Sequence, residues 1–104
     1  MSDSSSHSRY AAARHVLSSP TIALRTRRYT ADGRIDWQGL LADSTTMSGG
    51  EQFLVEIAHR IWDGQPVPDA WALTGRLDAG NARRVVEAVD YLGDSRQPAF
   101  AAAA

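Results

Sequence analysis

Residues 48–64 read SGGEQFLVEIAHRIWDG, and this segment has the features of one amphipathic helix. Ser48 and Glu51 have the spacing of a capping box, in which each side chain accepts a hydrogen bond from a backbone N–H at the helix start. Gly64 suits the left-handed conformation that ends many helices, and two prolines soon after it prevent continuation. The residues in between form one apolar stripe at helical spacing: Phe53, Leu54, Ile57, Ala58, Ile61 and Trp62. The sequence predicts a helix over residues 49–63.

A second long helix is predicted from Asp78, which suits an N-cap, to Gly93, which suits a helix end. The apolar positions of this helix share one face and are Ala82, Val85, Val86, Val89 and Leu92. Residues 36–42 and 69–73 have shorter helical patterns.

Ahead of these helices, residues 21–29 alternate between two sides, which is the period of a half-buried strand. One side of this strand would carry Ile22, Leu24 and Thr26. Asp32-Gly33 tolerates the positive φ angles of a tight turn, and residues 34–37 would return as a second strand. We expect a mainly α fold, a small bundle of two long and one or two short helices, with an N-terminal β-hairpin.

Composition divides the chain into three parts. Residues 1–19 are rich in Ser and Ala, and we expect a flexible tail there. The two helical turns that residues 10–17 can form are too short for independent stability. Residues 20–93 are predicted to be a single small domain, and residues 94–104 a flexible C-terminal tail.

The 104-residue chain is 43% apolar and 22% charged, which is typical of a globular domain. It has no cysteine and no lysine. Disulfides, thiolate metal sites, a P-loop lysine and a lysine general base are therefore excluded. No apolar run approaches the ~20 residues of a membrane span, and no secretory signal is recognised. We expect a cytoplasmic protein without a membrane partner and without a cofactor.

The small net charge of −1 hides an asymmetry, because residues 1–34 carry +4 and residues 35–104 carry −5. Four arginines lie close together in the basic part: Arg25, Arg27, Arg28 and Arg34. On a strand, Arg25 and Arg27 would share a face with Tyr29 and could bind the phosphates of a nucleic acid. The alternative is a solvated strand face that pairs with the acidic part of the fold.

Residues 47–52, MSGGEQ, resemble the signature motif of the ABC, SMC and related DNA-repair ATPases. Leu77-Asp78 resembles the D-loop of the same families, at about the separation those ATPases show. The resemblance implies phosphate contacts from a helix N-terminus to a nucleotide held by an opposite subunit. The residues to which it assigns these contacts are Ser48, Gly49 and Gly50.

The chain differs from those ATPases at the positions that bind phosphate and Mg²⁺ and catalyse hydrolysis. It has no G-x-x-x-x-G-K-[ST] loop, and Trp71-Ala72 stand where the families place a Mg²⁺-binding Asp and a catalytic Glu. We therefore expect no hydrolysis, and both motifs also serve as ordinary helix caps. The order of a Ser-Gly-Glu cap, a helix ending in Trp-Asp-Gly and a Leu-Asp-x-x-Asn helix also resembles small uncharacterised proteins of high-GC Gram-positive bacteria.

Other candidates for chemistry are few. His59 falls on the polar face of the helix over residues 49–63, where we expect a solvated or structural side chain. The alternative for it is acid–base work beside Glu56 or Asp63. No spacing of His, Asp or Glu indicates a metal site. The tryptophans are predicted on apolar faces, in the core or at a partner interface rather than as base-stacking platforms; they are Trp37, Trp62 and Trp71.

Three functions remain open at this point. The preferred one is a non-enzymatic module that binds a protein partner or a second copy of itself. The first alternative is a nucleic-acid accessory protein that uses the arginines between residues 25 and 34. The second alternative is an element that contacts nucleotide or an ATPase through Ser48–Gly50.

Overall fold

The structure is a computed structural model that describes residues 2–94. Its helices are α1 (Ser2–Leu17), α2 (Ala23–Thr26), α3 (Trp37–Ser44), α4 (Gly49–Asp63), α5 (Ala70–Arg76) and α6 (Ala79–Asp94). A 3-10 turn over Arg27–Tyr29 follows α2, and a hairpin of β1 (Thr30–Ala31) and β2 (Arg34–Ile35) leads to α3. The expected mainly α bundle with a β-hairpin is confirmed.

Helix α4 has the bounds that its caps predict. The Ser48 Oγ atom accepts a hydrogen bond from the Glu51 backbone N–H at 3.3 Å, and Glu51 Oε1 accepts one from the Ser48 N–H at 2.9 Å. Gly64 ends the helix with φ at 75°. The buried face of α4 carries Phe53, Leu54, Val55, Ile57, Ala58 and Ile61. The bounds of α4 could be predicted from the sequence, because the residues that set them lie within the helix and its two caps.

Helix α1 corrects the prediction of a flexible tail over residues 1–19. It packs against both α4 and α6, and its inner face is completely buried. The residues of that face are Ala12, Ala13, Val16 and Leu17, each at most 1% exposed. The prediction was wrong because it rested on the stability of a short isolated helix, whereas most of the stability of a helix in a protein comes from tertiary packing. Residues 12–17 are therefore packed into the same core as the helices of the predicted domain.

The strand predicted over residues 21–29 is also wrong, because this segment forms α2 and the 3-10 turn. Ile22 and Thr26 lie one helical turn apart and are both buried, while Leu24 between them is 76% exposed. Thr26 Oγ1 donates a hydrogen bond to the backbone oxygen of Leu17 at 2.7 Å and so ties α2 to the end of α1. A spacing of four residues satisfies both the strand period and the helix period, which explains the error.

The predicted turn at Asp32-Gly33 is confirmed, with φ angles of 55° and 73°. The strands that it joins are only two residues long, and the pairs are Thr30 with Ile35 and Ala31 with Arg34. The return strand ends early because Asp36 caps α3, accepting a hydrogen bond from the Gly39 N–H at 3.1 Å. A Cβ atom at Gly39 would lie 2.7 Å from Asp36 Oδ2 and 2.9 Å from the Tyr29 ring, so a larger residue there would displace the Asp36 cap or the Tyr29 ring.

The second half of the fold follows the predicted order of helices. Asp69 caps α5 by accepting from the Ala72 N–H at 3.0 Å, and α5 reaches Arg76, beyond the single turn expected. Asp78 accepts from the Asn81 N–H at 2.8 Å at the start of α6. The predicted tail over residues 94–104 lies outside the described residues, apart from Asp94 at the end of α6. Among residues 2–94, no helix has the length and apolar character needed to cross a membrane.

Candidate functional site

The structure separates the arginines that the sequence grouped together. Arg25 Nη2 lies 2.8 Å from Asp43 Oδ1 and 2.6 Å from Thr46 Oγ1, so its charge is used to fix α2 to the end of α3. Arg27, Arg28 and Arg34 are exposed. The shared strand face of Arg25, Arg27 and Tyr29 does not exist, because the segment is helical.

A groove lies between the C-terminal end of α1 and the segment formed by α2 and the 3-10 turn. Its volume is about 170 Å³, and we call it the Leu24 groove. The residues that line it are Arg14, Leu17, Ser18, Ala23, Leu24, Thr26, Arg27 and Thr30. Leu24 is exposed there because α2 turns Ile22 and Thr26 inward and leaves the opposite side of the helix uncovered.

The charged residues that line the Leu24 groove are Arg14 from α1 and Arg27 from the 3-10 turn. Both side chains are exposed, and within residues 2–94 neither guanidinium has a hydrogen-bond or ion-pair partner. No carboxylate belongs to the lining among the described residues. The groove therefore joins an apolar floor to two cations that the fold leaves unneutralised.

The residues proposed for anion binding, Ser48, Gly49 and Gly50, lie at the start of α4 as expected. The Glu51 carboxylate already occupies this helix start, because it accepts the Ser48 N–H. A second anion there would meet a like charge within the first helical turn. The geometry does not favour a phosphate at this end of α4.

A second cleft lies between α1 and α6. It has a volume of about 420 Å³ and is lined by Ala11, Ala12, His15, Glu87, Ala88 and Tyr91. His15 Nε2 lies 2.9 Å from Glu87 Oε1, and Arg84 donates a hydrogen bond to the His15 backbone oxygen at 3.0 Å. Sequence reasoning missed this pair because it placed His15 in a tail, and no local signal connects it with Glu87.

The side chains with acid–base or stacking potential lie elsewhere. His59 Nε2 is 3.5 Å from Asp63 Oδ2, and its ring centroid is 4.7 Å from that of Trp37. Trp37 and Trp62 are partly buried against the core, as predicted. Trp71 does not lie in the core, because this side chain is 88% exposed on α5, and a place at a partner interface stays a prediction for it.

Within the part of the chain that the structure describes, no cluster of three or more His, Cys, Asp or Glu side chains could hold a metal ion. No protein-family model, curated protein or solved structure matches this chain.

Proposed function

We propose that this chain is a small, non-enzymatic interaction module that binds a protein partner through the Leu24 groove. The observation that carries the proposal is the exposure of Leu24 beside the groove, where 76% of its surface is open to solvent. An exposed aliphatic side chain beside a concave apolar surface is a common feature of protein-binding sites.

The size of the Leu24 groove supports a protein partner over a cofactor or metabolite. Small-molecule sites usually enclose about 300–1,000 Å³, whereas the groove measures about 170 Å³. A cavity of roughly 150 Å³ accommodates one benzene molecule. The groove is therefore suited to a single apolar side chain from a partner.

The polar groups of the groove support binding over catalysis. Ser18 Oγ donates to the His15 backbone oxygen at 2.9 Å, and Thr26 Oγ1 donates to the Leu17 backbone oxygen at 2.7 Å. Both hydroxyls thus serve as local structural links. The charged residues of the groove are arginines, and an arginine side chain is a poor general base.

We also propose a bacterial, cytoplasmic setting. The resemblance to small proteins of high-GC Gram-positive bacteria and the absence of cysteine from the sequence support it.

The direct test places a photo-crosslinking amino acid at Leu24 in cells that make the protein. Gln65 provides the control position, because it is exposed in the loop after α4 and does not line the groove. We expect a defined protein adduct from position 24 and none from position 65. Equal adduct patterns from the two positions, or no protein adduct from position 24, would contradict the proposal.

A further inference from the structure

We infer that the partner segment bound in the Leu24 groove is acidic, with a large apolar residue flanked by carboxylates. This inference rests on the proposed function and specifies the chemistry of its partner. It follows from the combination of an apolar floor with two free cations, one from each of the two segments that form the groove.

The apolar lining of the groove determines which type of residue lies at the centre of the bound segment. Leu17, Ala23 and Leu24 line it. Covering an exposed leucine with an apolar side chain removes surface of both residues from water, which stabilises the complex. The volume of about 170 Å³ limits the insertion to one side chain.

The arginines of the groove determine which residues should flank the inserted apolar side chain of the partner. Arg14 comes from α1 and Arg27 from the 3-10 turn, so a segment lying in the groove is bordered by one arginine from each of the two segments that form it. Arg28 and Arg34 are exposed in the adjoining segment. Guanidinium groups bind carboxylates with paired, charge-assisted hydrogen bonds, whereas a neutral segment would gain less from them and a basic segment would be repelled.

A nucleic acid would satisfy only one of these two features. Its phosphates can pair with arginine, but a sugar–phosphate backbone provides no aliphatic group to cover Leu24. Arg25 is held by Asp43, which leaves few cations for phosphate contacts. Because affinity for nucleic acids grows with the number of phosphates neutralised, a small set of arginines binds weakly at physiological salt. The acidic peptide is therefore favoured.

The experiment selects ligands from a random dodecapeptide library displayed on phage, with the full chain as bait. We expect enriched peptides in which Asp or Glu lies next to Leu, Ile, Phe or Trp. Enrichment of peptides without acidic residues, or of no peptide that competes for the groove, would overturn the inference. The proposed function would still stand if position 24 captured a protein partner, so the two failures are distinguishable.

Charge-reversal variants then locate the binding of a selected peptide by fluorescence anisotropy. Arg14→Glu and Arg27→Glu should each weaken binding about tenfold, since each converts an attraction into a repulsion. The matched control is Arg83→Glu on α6, which changes the net charge equally at an exposed residue outside the groove and should change affinity less than about twofold. Circular dichroism melts test whether the variants remain folded. Arg27→Gln removes the charge without reversing it and is the milder variant.

Two results in this series would reject the inference. One is an equal loss of affinity in Arg27→Glu and Arg83→Glu, which would indicate a nonspecific charge effect. The other is displacement of the peptide by a single-stranded oligonucleotide at lower concentration than unlabelled peptide, which would identify a nucleic-acid surface instead.

Discussion

At the scale of single residues, Asn81 joins the start of α6 to the connection between α1 and α2. Its side-chain oxygen accepts a hydrogen bond from Ser19, and its Nδ2 atom lies 3.1 Å from Thr21 Oγ1 and 3.2 Å from Asp78 Oδ2. Ser19 is fully buried and Asn81 is 8% exposed. A buried polar network of this kind is stabilising only while its members remain paired.

Replacing Asn81 with leucine should destabilise the fold. The buried Ser19 hydroxyl would lose its acceptor, and an unsatisfied buried polar group costs about 1–3 kcal/mol. In chemical denaturation we expect the free energy of unfolding to fall by that amount. Asp90→Asn, at an exposed position of the same helix, should change it by less than about 0.5 kcal/mol. An unchanged stability of Asn81→Leu would show that the network is not formed.

Trp71 is the most exposed large apolar side chain among the described residues, whereas Trp37 and Trp62 pack against the core. Iodide in solution should therefore quench the emission of Trp71 far more than that of the other two. We expect Trp71→Phe to remove most of the quenchable fluorescence. If Trp62→Phe removed as much, the placement of α5 would be wrong.

At the scale of elements, the predictability of each helix depends on where its stabilising contacts lie. Helix α4 could be predicted to the residue, because Ser48, Glu51 and Gly64 are local caps. Helix α1 could not, since its face of alanines and one Val-Leu pair is stable only against α4 and α6. The Leu24 groove was missed for the same reason. Arg27 was identified from the sequence as part of the arginine group. Arg14 comes to the same groove only through the packing of α1.

Two leucines test the placement of α1 and α2 with the same substitution. Leu17 is 1% exposed and Leu24 is 76% exposed. Leu17→Ala should lower the free energy of unfolding by about 2–5 kcal/mol, because it empties a packed site. Leu24→Ala should change it by less than about 0.5 kcal/mol. Both values come from urea denaturation followed by circular dichroism. Equal and small effects of the two substitutions would instead support a flexible tail over residues 1–19.

The cap of α4 separates a structural role of Ser48 from a nucleotide-binding role. Ser48→Ala should lower the free energy of unfolding by about 1 kcal/mol, as loss of an N-cap does. Millimolar ATP with Mg²⁺ should leave the melting temperature of the wild-type chain unchanged, because Glu51 already occupies the helix start. A raised melting temperature that Ser48→Ala abolished would instead support a phosphate site there.

At the scale of the whole molecule, the separation of charge along the sequence is only partly neutralised by folding. Arg25 pairs with Asp43, and His15 lies against Glu87, so the two parts of the chain meet at these contacts. The arginines at the Leu24 groove are left over from this pairing. The groove thus has the charge and apolar surface that a docking site requires, and it lies at the junction of α1 and α2.

Binding of a partner at the Leu24 groove is the expectation on which the proposed function depends. Hydrogen exchange of the full chain, measured by mass spectrometry with and without saturating partner, tests it most directly. The short α2 and 3-10 segment should exchange quickly in the free chain, since single helical turns open readily. We expect partner binding to slow exchange over residues 14–30. Slowed exchange centred on α5 around Trp71, with residues 14–30 unchanged, would contradict binding at the Leu24 groove.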